Sequence, residues 1–110
     1  MHTSNMVHEL SHNRKIHVTG TTTFVYFTAS WCGPCQELYP VFEDLECTTS
    51  SCVFLKVDVD KHTELCDEYH IDSIPTVIVL KNGTEVKRIS ANKRSLQNLV
   101  SEFSVPNREQ

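Results

Sequence analysis

Apolar and polar positions along the chain follow two periods. The stretch from Thr21 to Ala29 is rich in β-branched and aromatic residues, and its Phe24-Val25-Tyr26-Phe27 centre is apolar on both faces, which predicts a central strand covered on both sides. From Pro34 the pattern turns helical: Leu38, Val41, Phe42 and Leu45 follow the i, i+3, i+4, i+7 spacing of one buried stripe. Pro40 falls inside that stripe, and the apolar phase continues past it, so a kink is expected rather than a stop. Val53, Leu55, Val57 and Val59 alternate with Phe54, Lys56 and Asp58 as a second strand, and residues from Lys61 to Tyr69 read as a short polar-faced helix. Thr76 to Leu80 and Thr84 to Ile89 form two β-rich runs joined across Asn82-Gly83, residues that tolerate positive φ and signal a tight hairpin. A last helix carries Leu96, Leu99, Val100 and Phe103 on one stripe. Upstream, Met6 to Leu10 reads as a short edge strand, with Ser11 capping a brief helix to about Val18. The order β-α-β-α-β-α-β-β-α predicts an α/β fold: a mostly parallel, hence mixed, sheet with antiparallel edge strands between helices.

Length and composition narrow the function classes. The 110 residues suit a single domain, 1–110 with an ordered core of about 6–104. The longest apolar runs are Phe24 to Phe27 and Val77 to Leu80, far below the ~20 residues of a membrane helix, so no membrane span is expected. A net charge of −4 argues against nucleic acid as a partner, which would require a basic face. Charge is uneven: residues 37–72 hold ten acids and two bases, whereas 81–102 hold five bases and two acids, which reads as two solvated faces of one domain. The polar first twenty residues show no secretory h-region, and an intracellular reducing compartment is the expectation.

Five cysteines, at 32, 35, 47, 52 and 66, cannot all pair within one chain. Cys32 and Cys35 lie at the junction of a predicted strand and helix, close enough to close a small disulfide loop. At a helix N-terminus the unpaired N–H groups and the dipole favour a thiolate at Cys32, while Cys35, one turn in, is placed to attack the Cys32 sulfur of a mixed disulfide. Gly33 permits close backbone approach, and Pro34 has the fixed φ of a first helical turn. Cys47 and Cys52 bracket a turn and are either thiols or a second bridge, and Cys66 reads as a packing residue. The four-cysteine spacing also admits a zinc reading, which the Trp-Cys-Gly-Pro-Cys setting disfavours; no metal is expected.

The chain resembles the thioredoxin family from about residue 6 to 104. The resemblance rests on the run from Phe27 through Trp31-Cys32-Gly33-Pro34-Cys35, Pro40, Lys56-Val57-Asp58-Val59-Asp60, Ser73-Ile74-Pro75-Thr76 and Lys81-Asn82-Gly83. It implies a three-layer α/β/α sandwich with a mixed five-stranded sheet. It also implies a protein-disulfide reductase: Cys32 attacks a client disulfide, Cys35 resolves the mixed disulfide, and the redox-active Cys32–Cys35 pair needs no other cofactor. Pro75 matches the family's cis-proline, Ile74 would offer backbone groups to an extended client, and Trp31, Gly33 and Pro34 would complete an apolar docking surface. Partners implied are disulfide-containing client proteins and a thioredoxin reductase or other dithiol reductant, with the protein a monomer.

Two departures stand out. Tyr26 occupies the place, six residues ahead of Cys32, where the family carries a buried aspartate, and Lys56 aligns with the lysine that accompanies it. A tyrosine is a poor base at neutral pH, so the expectation is a lowered Cys32 pKa and slower resolution by Cys35. Tyrosine here also resembles plant mitochondrial thioredoxins, which favours mitochondria over the cytoplasm. Ala91-Asn92 replaces the family's Gly-Ala beside the docking groove, where the added methyl and polar side chain are expected to narrow or redirect it. The competing function is a weakly catalytic module of the same fold that binds a client or partner through Ile74 and Pro75.

Overall fold

The computed structural model describes residues 8–9 and 21–103. In chain order these form β1 (His8–Glu9), β2 (Thr22–Thr28), α1 (Gly33–Thr48), β3 (Cys52–Asp58), α2 (Thr63–Glu68), β4 (Thr76–Lys81), β5 (Thr84–Ser90) and α3 (Lys93–Phe103). The expected helix from Ser11 to Val18 lies outside the described residues.

The five strands form one mixed sheet in the order β1-β3-β2-β4-β5. The central strand β2 pairs in parallel with β3 and antiparallel with β4. Every residue of β2 is buried because each face meets a helical layer. Phe24 and Tyr26 pack with Leu38 and Phe42 of α1 and Leu96, Leu99 and Val100 of α3. Val25 and Phe27 point the other way, into a second core with Leu55, Val57, Ile78, Leu80 and Leu65 of α2. The two-sided apolar run in the sequence thus corresponds to two cores separated by one sheet.

The helix α1 runs unbroken through Pro40, as the continuing apolar stripe implied. Leu38 and Phe42 are buried on it, whereas Val41 and Leu45 are half-buried at the margin of the core. The helix α2 is shorter than the polar-faced pattern suggested. The Asp58 carbonyl accepts from the amides of both Lys61 and His62, which forms a separate turn before the helix starts at Thr63. At the far end His70, at φ 54°, leaves the helical region. The β4–β5 turn has positive φ at both Asn82 (52°) and Gly83 (82°), the requirement that marked the hairpin in the sequence.

Candidate active site

The site is built where β2 ends and α1 begins. The Cys32 amide donates to the Ala29 carbonyl at 3.2 Å, which turns the chain out of the sheet. Gln36 secures the same turn from the helix side, its Nε2 donating to Ala29 O at 2.8 Å. Cys32 is the N-cap of α1, in extended backbone conformation, and its Sγ accepts the Cys35 amide at 3.3 Å. That N–H is one of the orphan donors of a helix start, and sulfur at its positive end is the arrangement that stabilises a thiolate. Cys32 and Cys35 are joined as a disulfide with Cα atoms 5.2 Å apart. Cys35 is fully buried, whereas Cys32 retains 7% exposure. Only the first sulfur is open to an approaching client.

The Ile74–Pro75 peptide bond is cis. The hydroxyl of Thr76 donates to Ser73 O at 2.7 Å across this turn, and the Ala91 amide donates to Pro75 O at 3.0 Å. Ala91 is therefore tied to the proline loop by its backbone. Ile74 is half-buried against Ala29, Cys32 and Cys35, so the loop lies directly on the disulfide. Beside it a groove of about 480 Å³ is lined by Trp31, Val59, Thr63, Cys66, Ile71 and Ile74, among others. On the other flank a smaller groove of about 290 Å³ runs between Pro34, Leu38 and Val41 of α1 and Ala91. Trp31, Pro34, Ile74, Pro75 and Ala91, predicted as substrate-facing, thus surround one disulfide.

Trp31 is 68% exposed, a large indole left on the surface. Its Nε1 donates to Asp60 Oδ2 at 2.8 Å, which fixes the ring beside the groove. The Asp60–Trp31 pairing is a contact between residues 29 apart and carries no local sequence signal.

Tyr26 is fully buried on β2 and donates its hydroxyl to Cys35 O at 2.7 Å. Its ring stacks on Phe42 at 4.8 Å and tilts against Tyr39 at 5.6 Å. Burial, reinforced by Tyr39, pushes the phenol pKa above its ordinary value, so the group is a donor and not a base at neutral pH. Lys56 lies directly across the parallel register from Tyr26. With no aspartate beside it, its ammonium sits over the Tyr39 ring, 4.6 Å from the centroid.

The structure adds detail at Gly33 and Asn92. A Cβ on Gly33 would meet nothing within 4 Å, so this chain's own packing sets no demand for glycine there; any close approach must come from a docking partner. Asn92 lines the smaller groove together with Ala91, and its side chain also serves the start of α3. Its Oδ1 accepts the Ser95 amide at 2.8 Å while Ser95 Oγ accepts the Asn92 amide at 2.9 Å, a reciprocal cap for α3. The Asn-x-x-Ser spacing held that signal.

Cys47, Cys52 and Cys66 take part in no disulfide. Burial pushes the thiols of Cys52 and Cys66 up from their ordinary range, and Asp67, Asp60 and Asp58 push Cys66 further. Among the described residues no group of three or more His, Cys, Asp or Glu side chains is placed to hold a metal ion. Among the same residues no helix is long and apolar enough to cross a membrane.

Comparison with known proteins agrees with this geometry. A family model described as Thioredoxin matches residues 4–104. An H-type thioredoxin of Oryza sativa subsp. indica is 42% identical over 82 residues, covering 74% of this chain and 67% of that protein. A thioredoxin of Chlamydia caviae is 44% identical over 80 residues, covering 71% and 78% respectively. Among solved structures, the thioredoxin of Malassezia sympodialis superposes with a TM-score of 0.82 at 29% identity, covering 91% of this chain and 92% of the other.

Proposed function

The chain belongs to the thioredoxin family, and from that premise we propose how its residues divide the family's reaction. The protein is a thiol–disulfide oxidoreductase that reduces protein disulfides. In the dithiol form, Cys32 thiolate attacks one sulfur of a client disulfide; the client S–S bond breaks, and a mixed disulfide to Cys32 forms as the first client sulfur leaves. Cys35 then attacks Cys32, the mixed disulfide breaks, and the second client sulfur leaves. Two electrons have passed to the client, and the protein holds the Cys32–Cys35 disulfide seen here. A thioredoxin reductase or another dithiol returns the pair to its reduced form.

The observation that carries this division of labour is the asymmetry of the pair. Cys32 is the partly exposed N-cap sulfur, and Cys35 is fully enclosed beneath it. Trp31, Gly33 and Pro34 form the outer docking surface, Ile74 offers strand-like backbone pairing, and Pro75 and Ala91 shape the loop that holds it. We propose action as a monomer, because Cys32, Cys35, Ile74 and Pro75 already assemble within one copy of the fold. Three cysteines outside any disulfide fit a reducing intracellular compartment, mitochondrial or cytoplasmic, and Tyr26 favours the mitochondrial one. The test is trapping. Cys35→Ser is expected to accumulate mixed disulfides through Cys32, and Cys32→Ser none; client binding that survives Cys32→Ser with no adduct in Cys35→Ser would favour a binding module instead.

A further inference from the structure

The resolving cysteine lies in the first turn of a helix that contains a proline. Cys35 is the third residue of α1, and five residues on stands Pro40, which has no N–H to donate and whose ring presses on the preceding turn. The carbonyl that loses its helical donor is that of Gln36, the residue after the resolving cysteine. A carbonyl oxygen has two lone pairs, and the Cys35 carbonyl accepts from outside the helix, from the hydroxyl of Tyr26 at 2.7 Å. Tyr26 is itself rigid, held in the middle of the central strand and stacked on Phe42. The titratable groups facing it are Tyr39 on α1 and Lys56 on β3, whose ammonium lies over the Tyr39 ring, while β4 presents Val77.

We propose that Tyr26 is a positioning residue for the resolving step: its hydroxyl ties the first turn of α1 to β2, so that Cys35 Sγ remains in line with Cys32 Sγ once the disulfide has opened. This rests on the oxidoreductase reading above and concerns its second half alone. In that step the Cys35 S–H bond breaks and a bond from Cys35 Sγ to Cys32 Sγ forms. The bond from Cys32 Sγ to the client sulfur breaks, and the client sulfur leaves with the electron pair and takes the proton that Cys35 loses. The phenol proton stays on the Tyr26 oxygen throughout, donated in a hydrogen bond to the Cys35 carbonyl. No side chain at position 26 accepts a proton, and none is required for the balance.

Single-turnover kinetics separate the two halves. The reduced protein is mixed with a synthetic peptide disulfide, quenched in acid at intervals, and the mixed disulfide is counted by mass spectrometry between pH 6 and 9. In Tyr26→Phe the mixed disulfide is expected to form at the wild-type rate and to decay about fivefold more slowly, the rate equivalent of losing one ordinary hydrogen bond. In Tyr26→Asp the decay gains a second pH-dependent step, because a base has been introduced. An unchanged decay in Tyr26→Phe, or equal slowing of formation and decay, would overturn the proposal. The wild-type profile stands independently of any variant: its decay should show only the titration of Cys35 and the client thiol, and an additional step would assign a base elsewhere and overturn the proton route. A wild type that forms no mixed disulfide at all would instead remove the oxidoreductase reading beneath it.

Discussion

Trp31 is the chain's single tryptophan, so its orientation can be followed by intrinsic fluorescence without labelling. Its ring Nε1 donates to Asp60 Oδ2 at 2.8 Å. Asp60→Ala removes the acceptor. A hydrogen bond to a charged group contributes about 1.5–3 kcal/mol when shielded. Here both partners are exposed, and solvent screening brings the value down to about 0.2–1 kcal/mol. Fold stability should therefore fall by no more than about 1 kcal/mol. The larger consequence falls on docking. A released indole must be ordered again when a client lies against it, and immobilising a side chain costs about 0.5–1.5 kcal/mol. With tenfold in affinity per 1.4 kcal/mol, KM for a protein disulfide should rise about two- to tenfold while kcat is unchanged. Steady-state reduction assays measure the first effect, and Trp31 fluorescence anisotropy, expected to fall, measures the release. Asp60→Asn keeps an acceptor oxygen and should lie between the two. Lower anisotropy with an unchanged KM would refute the claim that the fixed indole organises the groove.

Three further outcomes follow from single contacts. Gly33→Ala adds a methyl that meets nothing within 4 Å, so stability should be unchanged or raised by about 0.4–1 kcal/mol in thermal melts, and any loss of activity would locate a client's close approach at that position. Asn92→Ala removes the reciprocal cap of α3 and should cost about 1 kcal/mol in denaturant unfolding, with Asn92→Asp retaining most of it. Because burial holds the Tyr26 phenol above its ordinary pKa near 10, the unfolded chain ionises first; the stability is complete below pH ~10 and is lost as pH rises beyond it, by up to about 1.4 kcal/mol per unit. Tyr26→Phe should flatten that alkaline decline in pH-dependent unfolding, leaving the parts from Tyr69, Cys52 and Cys66, which are also raised.

What the sequence disclosed and what it concealed divide along a physical line. Features set by neighbours in the chain were legible. The run Phe24 to Phe27 announced a strand buried on both faces, Asn82-Gly83 announced a turn with two positive φ values, and the stripe through Leu38 and Phe42 announced a helix that survives Pro40. The Cys32–Cys35 spacing at a strand–helix junction located the redox pair, and the resemblance located the cis-proline. Contacts between distant segments were not legible. Nothing near Tyr26 shows that its hydroxyl meets a carbonyl nine residues away, and nothing near Lys56 shows that an aromatic ring replaces a missing carboxylate. Asn92 holds two roles, lining the groove beside Ala91 and capping α3, and the local Asn-x-x-Ser spacing carried the second. Gly33 shows the converse, since a requirement imposed by a partner leaves no mark on the free chain.

The central claim is that Cys32 is the attacking sulfur and Cys35 the resolving one. Its most direct test is the covalent complex formed by Cys35→Ser with a disulfide client, isolated without reductant and mapped by peptide mass spectrometry. The geometry predicts one stable adduct, bonded through Cys32, the sulfur with residual exposure at the start of α1. An adduct carried by Cys47, Cys52 or Cys66, or stable trapping by Cys32→Ser through Cys35, would contradict it.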